Sequence, residues 1–203
     1  MLPRSQFEPH LKLVFYERTG DAFQDFFADL MERSHPGDFQ RVRPWGNTGD
    51  KKCDGYLSSE DAVFQVYAPD TETLAKTLAK IREDFAGAKK HWPGMRKWTF
   101  VHNAMNGIAP DVLQELQALQ AANPAVAIGR MGHAELRTKA YALSDEQLVA
   151  LLGAPVALID LVRVGIADLQ PVLAHISAAA EDLARADLRP VPHEKLERNR
   201  LEG

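Results

Sequence analysis

The chain predicts an α/β fold, a mixed β-sheet flanked by helices. Three observations carry that expectation. Segments with helical apolar spacing alternate with short strand-like segments, in the order helix, hairpin, helix, strand, helix, strand, helix. The strand-like segments are brief, rich in aromatic and β-branched residues, and bounded by turn formers. Two of them, 53–58 and 62–68, are separated only by Ser59-Glu60-Asp61, which predicts a hairpin that sets Asp54 beside Gln65.

The first ten residues read as a loose lead-in, and 11–17 as a short strand or the run-in to a helix. Thr19 is a candidate N-cap for a helix over 20–34, where Phe23, Phe26, Phe27, Leu30 and Met31 recur at helical spacing with Gln24 at the margin. His35-Pro36-Gly37-Asp38 ends that helix, and 39–44 reads as a strand. In the hairpin, Phe64, Val66 and Ala68 share one face of the second strand, and Val63, Gln65 and Tyr67 the other. A helix over 71–90 follows, with Leu74, Leu78, Ile81 and Phe85 as its stripe and Lys76 and Lys80 off it. Residues 97–103 form a strand with Trp98, Phe100 and His102 on one side. Then come a helix over 110–122, a strand over 125–130 and a helix over 134–142. Ser144-Asp145-Glu146-Gln147 is a capping box opening another helix. The run over 158–186 is helical, interrupted near Pro171, and 189–203 is charged and proline-bearing. The expected division is an α/β domain over 1–143 and a helical appendage with charged tail over 144–203.

With 203 residues the chain is long enough for one good-sized core. No apolar run approaches the roughly 20 residues needed to span a bilayer, and the N-terminus lacks the apolar core of a secretory signal. The single cysteine, Cys53, excludes an internal disulfide and a cysteine-rich zinc site. A cytoplasmic protein is the expectation. The formal net charge of −4 offers no global basic field, so nucleic-acid binding would use a local patch. The apolar run from Leu148 to Ile176 suits either a core or a homo-oligomer interface.

Chemistry concentrates in W-G-N-T-G-D-K-K-C-D-G, where a polar glycine-rich turn runs into Asp50 and Asp54. Aspartate and glycine also favour turns for backbone reasons alone. Gln65 equally suits a cross-strand polar role, Tyr67 packing, and Lys76 and Lys80 a solvated helix face. His102-Asn103 ends a strand, where ligand-binding groups gather in α/β sheets, and suits capping as well. The remaining histidines show no metal-ligand spacing.

The order helix, strand, G-x-x-G-D-x-x-x-D-G, strand with Q-x-x, then helix resembles the PD-(D/E)XK or restriction-endonuclease-like superfamily, in its Mrr-like form. The resemblance covers roughly residues 14 to 130. It implies a Mg²⁺- or Mn²⁺-dependent nuclease acting on DNA, with Asp54, Gln65 and Gln24 at the metal and Asp50 in support. Asp54, Gln65, Lys76 and Lys80 would be catalytic, and Lys51, Lys52 and Tyr67 would meet the substrate. The chemistry is coherent: cutting a phosphodiester with water needs a cation that acidifies the water and shields developing charge, and Mg²⁺ takes hard oxygen ligands. Two positions depart from the family pattern. Gln24 stands where a glutamate is usual. Tyr67 stands where the lysine is usual, and a phenol is neutral at pH 7. Lys51, Lys52, Lys76 or Lys80 would have to supply the missing cation. The departures favour an alternative: a catalytically degenerate nuclease-like module that binds nucleic acid or partner proteins.

F-Q-V-Y-A-P, the K-x-x-x-K-I-x-x-D-F helix and W-x-F-V-H-N also resemble bacterial proteins of the ABC three-component antiphage defence systems. That likeness implies partner subunits in a defence complex. The tail V-P-H-E-K-L-E-R-N-R-L is similar to the lead-in of a second domain in those proteins.

Overall fold

The computed structural model describes residues 2–43, 51–71, 73–155 and 166–185. The turn over 46–50, with Asp50, and the tail over 189–203 lie outside these. The chain forms two units, Met1–Pro155 and Val156–Gly203. The first is a five-stranded mixed sheet with helices on both faces, which is the predicted α/β class. Its strands are β1 (Phe39–Arg41), β2 (Gly55–Leu57), β3 (Ala62–Tyr67), β4 (Lys97–His102) and β5 (Ala127–Met131), and they pair in sequence order. β1–β2 and β2–β3 are antiparallel, whereas β3–β4 and β4–β5 are parallel. Parallel neighbours need a crossover, supplied by α3 (Leu74–His91) and α4 (Pro110–Ala122).

Alternation along β3 decides which core each residue enters. Ala62, Phe64 and Val66 join the cluster built with α1 (Glu8–Glu17), α2 (Gly20–Ser34), α5 (His133–Ala142) and α6 (Asp145–Leu152). Val63 and Tyr67 join Trp98, Phe100, Ile81, Phe85 and Val112 on the α3–α4 side. α6 belongs to the first unit: Leu148 and Leu151 are buried in its core. Its cap is the reciprocal pair expected, with the Gln147 backbone N–H donating to Ser144 Oγ and the Ser144 N–H to Gln147 Oε1. The segment expected as a strand or run-in over 11–17 is the helix α1, whose Leu11, Val14 and Phe15 fall on one buried side.

In the second unit, α7 (Ile166–Arg185) runs through Pro171 where an interruption was expected. The proline lies inside the helix, and Leu169, Val172, Leu173 and Ile176 form an exposed apolar stripe. Among the described residues no helix is long and apolar enough to cross a membrane.

Candidate functional site

Asp54 stands where β2 parts from β3. Its N–H donates to the Phe64 carbonyl at 2.9 Å, but two residues on along β3, at Val66, its side chain replaces backbone as the acceptor. Asp54 Oδ2 accepts from the Val66 N–H at 2.7 Å and from Gln65 Nε2 at 2.7 Å. Oδ1 accepts from Gln24 Nε2 at 2.7 Å. Gln65 reaches the carboxylate from the α3 face of the sheet by alternation, and Gln24 from α2 on the opposite side. The start of α2 is fixed to the same sheet end, because the Gly20 N–H donates to the Ala68 carbonyl at 2.6 Å. Gly20 holds a left-handed φ of 49°, which glycine adopts freely. Thr19 is the N-cap residue as expected, but its side chain makes no capping hydrogen bond.

Asp54 and Gln65 are 4% and 5% exposed, so this polar junction is sheltered from water. A buried carboxylate needs compensating hydrogen bonds, and the three N–H donors provide them. One acceptor is left over: Gln65 Oε1 is buried without a hydrogen-bond partner. Buried polar atoms are almost always paired, so this oxygen marks a place for a cation or a donor. The oxygens on offer are one carboxylate, the open Gln65 carbonyl, and the Gln24 amide, which presents oxygen instead of nitrogen by turning over. They fit a hard divalent ion of the Mg²⁺ type, which uses one or two carboxylates together with substrate phosphate. Among the described residues no group of three or more His, Cys, Asp or Glu side chains could hold a metal. Among the described residues, a metal at this junction would therefore draw on amide oxygens beside the Asp54 carboxylate.

The sequence-predicted lysines gather elsewhere. Lys52 and Lys80 converge on Asp84 of α3, with ammonium-to-Oδ1 distances of 3.1 and 2.9 Å. Glu83 also accepts from Lys52 at 2.6 Å, and this hydrogen bond is the main cause of a raised Lys52 pKa. Asp84 is 1% exposed. Sequence reasoning missed it, although an aspartate between Ile81 and Phe85 of the apolar stripe, four residues after Lys80, was a signal. Lys51 and Lys52 both adopt left-handed φ values, 55° and 58°, which are uncommon for lysine. The Lys51 carbonyl accepts from Trp92 Nε1 at 3.2 Å, tying this turn to the end of α3. Lys76 is exposed on the first turn of α3. Tyr67 packs its ring against Phe100 at 6.0 Å between centroids.

Further along the same sheet face lies His102, 4% exposed, with both ring nitrogens buried and unpartnered. Burial, and secondarily the positive charge of Arg130, lower its pKa to about 4. Its ring lies against the Gly132 backbone, where a Cβ would overlap it. Searched against protein-family models and against curated proteins, the chain finds no match.

Proposed function

We propose that this chain is a PD-(D/E)XK-like, restriction-endonuclease-like domain that handles nucleic acid, with a divalent-metal-dependent DNA nuclease as the leading reading. The observation that carries it is the sheltered Asp54 carboxylate at the parting of β2 and β3, with the open Gln65 oxygen beside it. Asp54, Gln65 and Gln24 would hold Mg²⁺ or Mn²⁺. When bound, the ion supplies the positive charge that shields a phosphodiester under attack and acidifies water. The chain's own part is positional. Gln65 Nε2 and the Val66 N–H both hold Oδ2 of the carboxylate, so its orientation is set before substrate arrives even when the Gln24 amide turns over. The surrounding core keeps bulk water away, which strengthens every charge interaction at the junction.

A second reading is a nuclease-derived binding module without catalysis. It is favoured by the lysine arrangement: Tyr67 occupies the lysine position, and the Lys52 and Lys80 ammonium groups are held by Asp84. The likeness to three-component antiphage proteins supports a place in a bacterial defence assembly under either reading.

The test is cleavage of plasmid and single-stranded DNA with Mg²⁺ or Mn²⁺, comparing wild type with Asp54→Ala and Asp54→Asn. Metal-dependent cutting that both variants lose supports the nuclease. Cutting unchanged in folded Asp54→Ala refutes it. DNA retention in a gel-shift assay with no cutting by wild type selects the binding module.

A further inference from the structure

The last turns of α2 and α5 and the start of α6 enclose a cavity of about 270 Å³, lined by Arg33, Ser34, His35, Lys139, Leu143 and Gln147 among others. Arg33 lies nine residues beyond Gln24 on α2, about 14 Å along the helix, so this cavity is separate from the junction at Asp54. Among the described residues no carboxylate lines it.

Three other half-buried cations of this chain are held by carboxylates: Arg4 by Asp145, Arg41 by Asp29 and Glu32, and Lys52 by Glu83 and Asp84. Arg33 and Lys139 are half-buried too, and neither has a carboxylate partner among the described residues. Lys139 Nζ stands instead 3.1 Å from His35 Nε2. Burial and the Lys139 charge lower the His35 pKa below its usual 6.5, so at neutral pH this ring accepts from the ammonium. Glu60 acts on Lys139 through space but is itself held by Lys97 at 2.7 Å. Arg33 Nε is buried without a hydrogen-bond partner. Gln147 has its Oε1 fixed by the Ser144 N–H, which leaves its Nε2 to donate. A helix C-terminus favours a cation, which explains why Arg33 and Lys139 stand here. It does not supply their acceptors. The Leu30 carbonyl accepts from Ser34 Oγ, the Met31 carbonyl from the His35 N–H, and the Leu143 carbonyl from Arg4.

We propose that this cavity is an anion site for a terminal phosphate, either inorganic phosphate or a phosphate monoester. What the cavity lacks is an acceptor, and what it holds is a guanidinium, an ammonium and an amide. A terminal phosphate carries about −1.5 to −2 charge at pH 7 and three or more acceptor oxygens. That charge matches the two fixed cations, whereas a carboxylate or a phosphodiester brings only one negative charge. Arginine meets phosphate oxygens in pairs and lysine as a point charge, so Arg33 and Lys139 are complementary holders. The monoester can belong to a small molecule or to the end of a nucleic-acid strand. The site goes beyond the reading of Asp54 as a nuclease centre and stands without it.

The test is calorimetric titration of the full chain with inorganic phosphate and with glycerol phosphate, at pH 7 and with chloride holding ionic strength constant. Each should bind at one site per chain. Arg33→Gln and Lys139→Gln should each weaken binding about tenfold, the worth of one charge-assisted hydrogen bond. Lys90→Gln, an equal loss of charge at an exposed position of α3, should leave it unchanged. Ala142→Glu, at an exposed lining position, sets a carboxylate among the donors and should abolish binding. It carries the test if the other two cavity variants do not fold. Thymidine dinucleotides with and without a 5′-phosphate distinguish the carriers. Competition by the phosphorylated one alone supports the site and admits strand ends, and competition by neither supports it for small molecules only. Equal competition by both would overturn the terminal-phosphate assignment. No phosphate binding by wild type, or binding that survives the folded cavity variants, would overturn the site, while the cleavage assay with Asp54→Ala decides the nuclease separately.

Discussion

His102 couples protonation to folding. In the unfolded chain a histidine titrates near 6.5, whereas here burial and Arg130 hold the ring's pKa at about 4, against a smaller opposing effect of Glu135. Between those values the unfolded chain binds a proton that the folded chain refuses, so acid favours unfolding. This contribution is fully present above pH 6.5 and falls by about 3 kcal/mol as pH drops to 4, then levels off. Urea midpoints measured across that range should show the fall, and His102→Phe should flatten it. Asp84 is buried with the Lys52 and Lys80 ammonium groups against its Oδ1. Replacing it with asparagine removes the carboxylate from Lys52 and Lys80 and should cost about 1–3 kcal/mol in urea unfolding. A variant as stable as wild type would show that the lysines simply turn to water. Asp54 stands between function and stability: Asp54→Ala leaves the Gln24, Gln65 and Val66 donors without their acceptor. A lowered midpoint is expected, and cleavage assays on that variant need a matching folded control.

Individual elements record how much the sequence revealed. The helix over 110–122 and the capping box at Ser144 were legible because each has local punctuation: a proline at the first helical position, and a Ser–Gln pair three apart. Ser144→Ala should accordingly destabilise the domain by about 1 kcal/mol, read as a shift in its thermal midpoint. The hairpin was legible too, and with it the pairing of Asp54 and Gln65. α1 was not, because ten residues with Tyr16 and Leu13 exposed present only a weak helical stripe. The long reach of the Lys52 and Lys80 side chains to one carboxylate could not be read either, since it depends on how the turn before β2 packs against α3. Gly55 shows the same limit. A Cβ there would overlap the Phe39 ring, which packs on Phe27 and Phe64 at 5.9 Å from each. Nothing local predicts that collision. Gly55→Ala should cost about 1–3 kcal/mol by displacing Phe39 from the core under β1 and β2.

At the scale of the molecule, both buried clusters draw only on residues up to Leu152 among those described. A chain ending at Pro155 should therefore unfold cooperatively, with a single urea transition. Loss of that transition would show that the second unit is needed for the first to fold. The two ends of the first unit are stitched together: Arg4 donates to the Leu143 carbonyl and to Asp145, and Tyr141 and Arg137 both donate to Glu8. Between those ends, the strands pair in the order in which they occur. A ribosome thus delivers each strand after the neighbour it must join, and the sheet can grow outward from β1 without waiting for a distant segment. What must wait is the opposite face. Phe7, Leu11 and the phenylalanines of α2 stay incompletely covered until α5 and α6 emerge, over a hundred residues later, so the nascent chain carries an uncovered apolar surface until then.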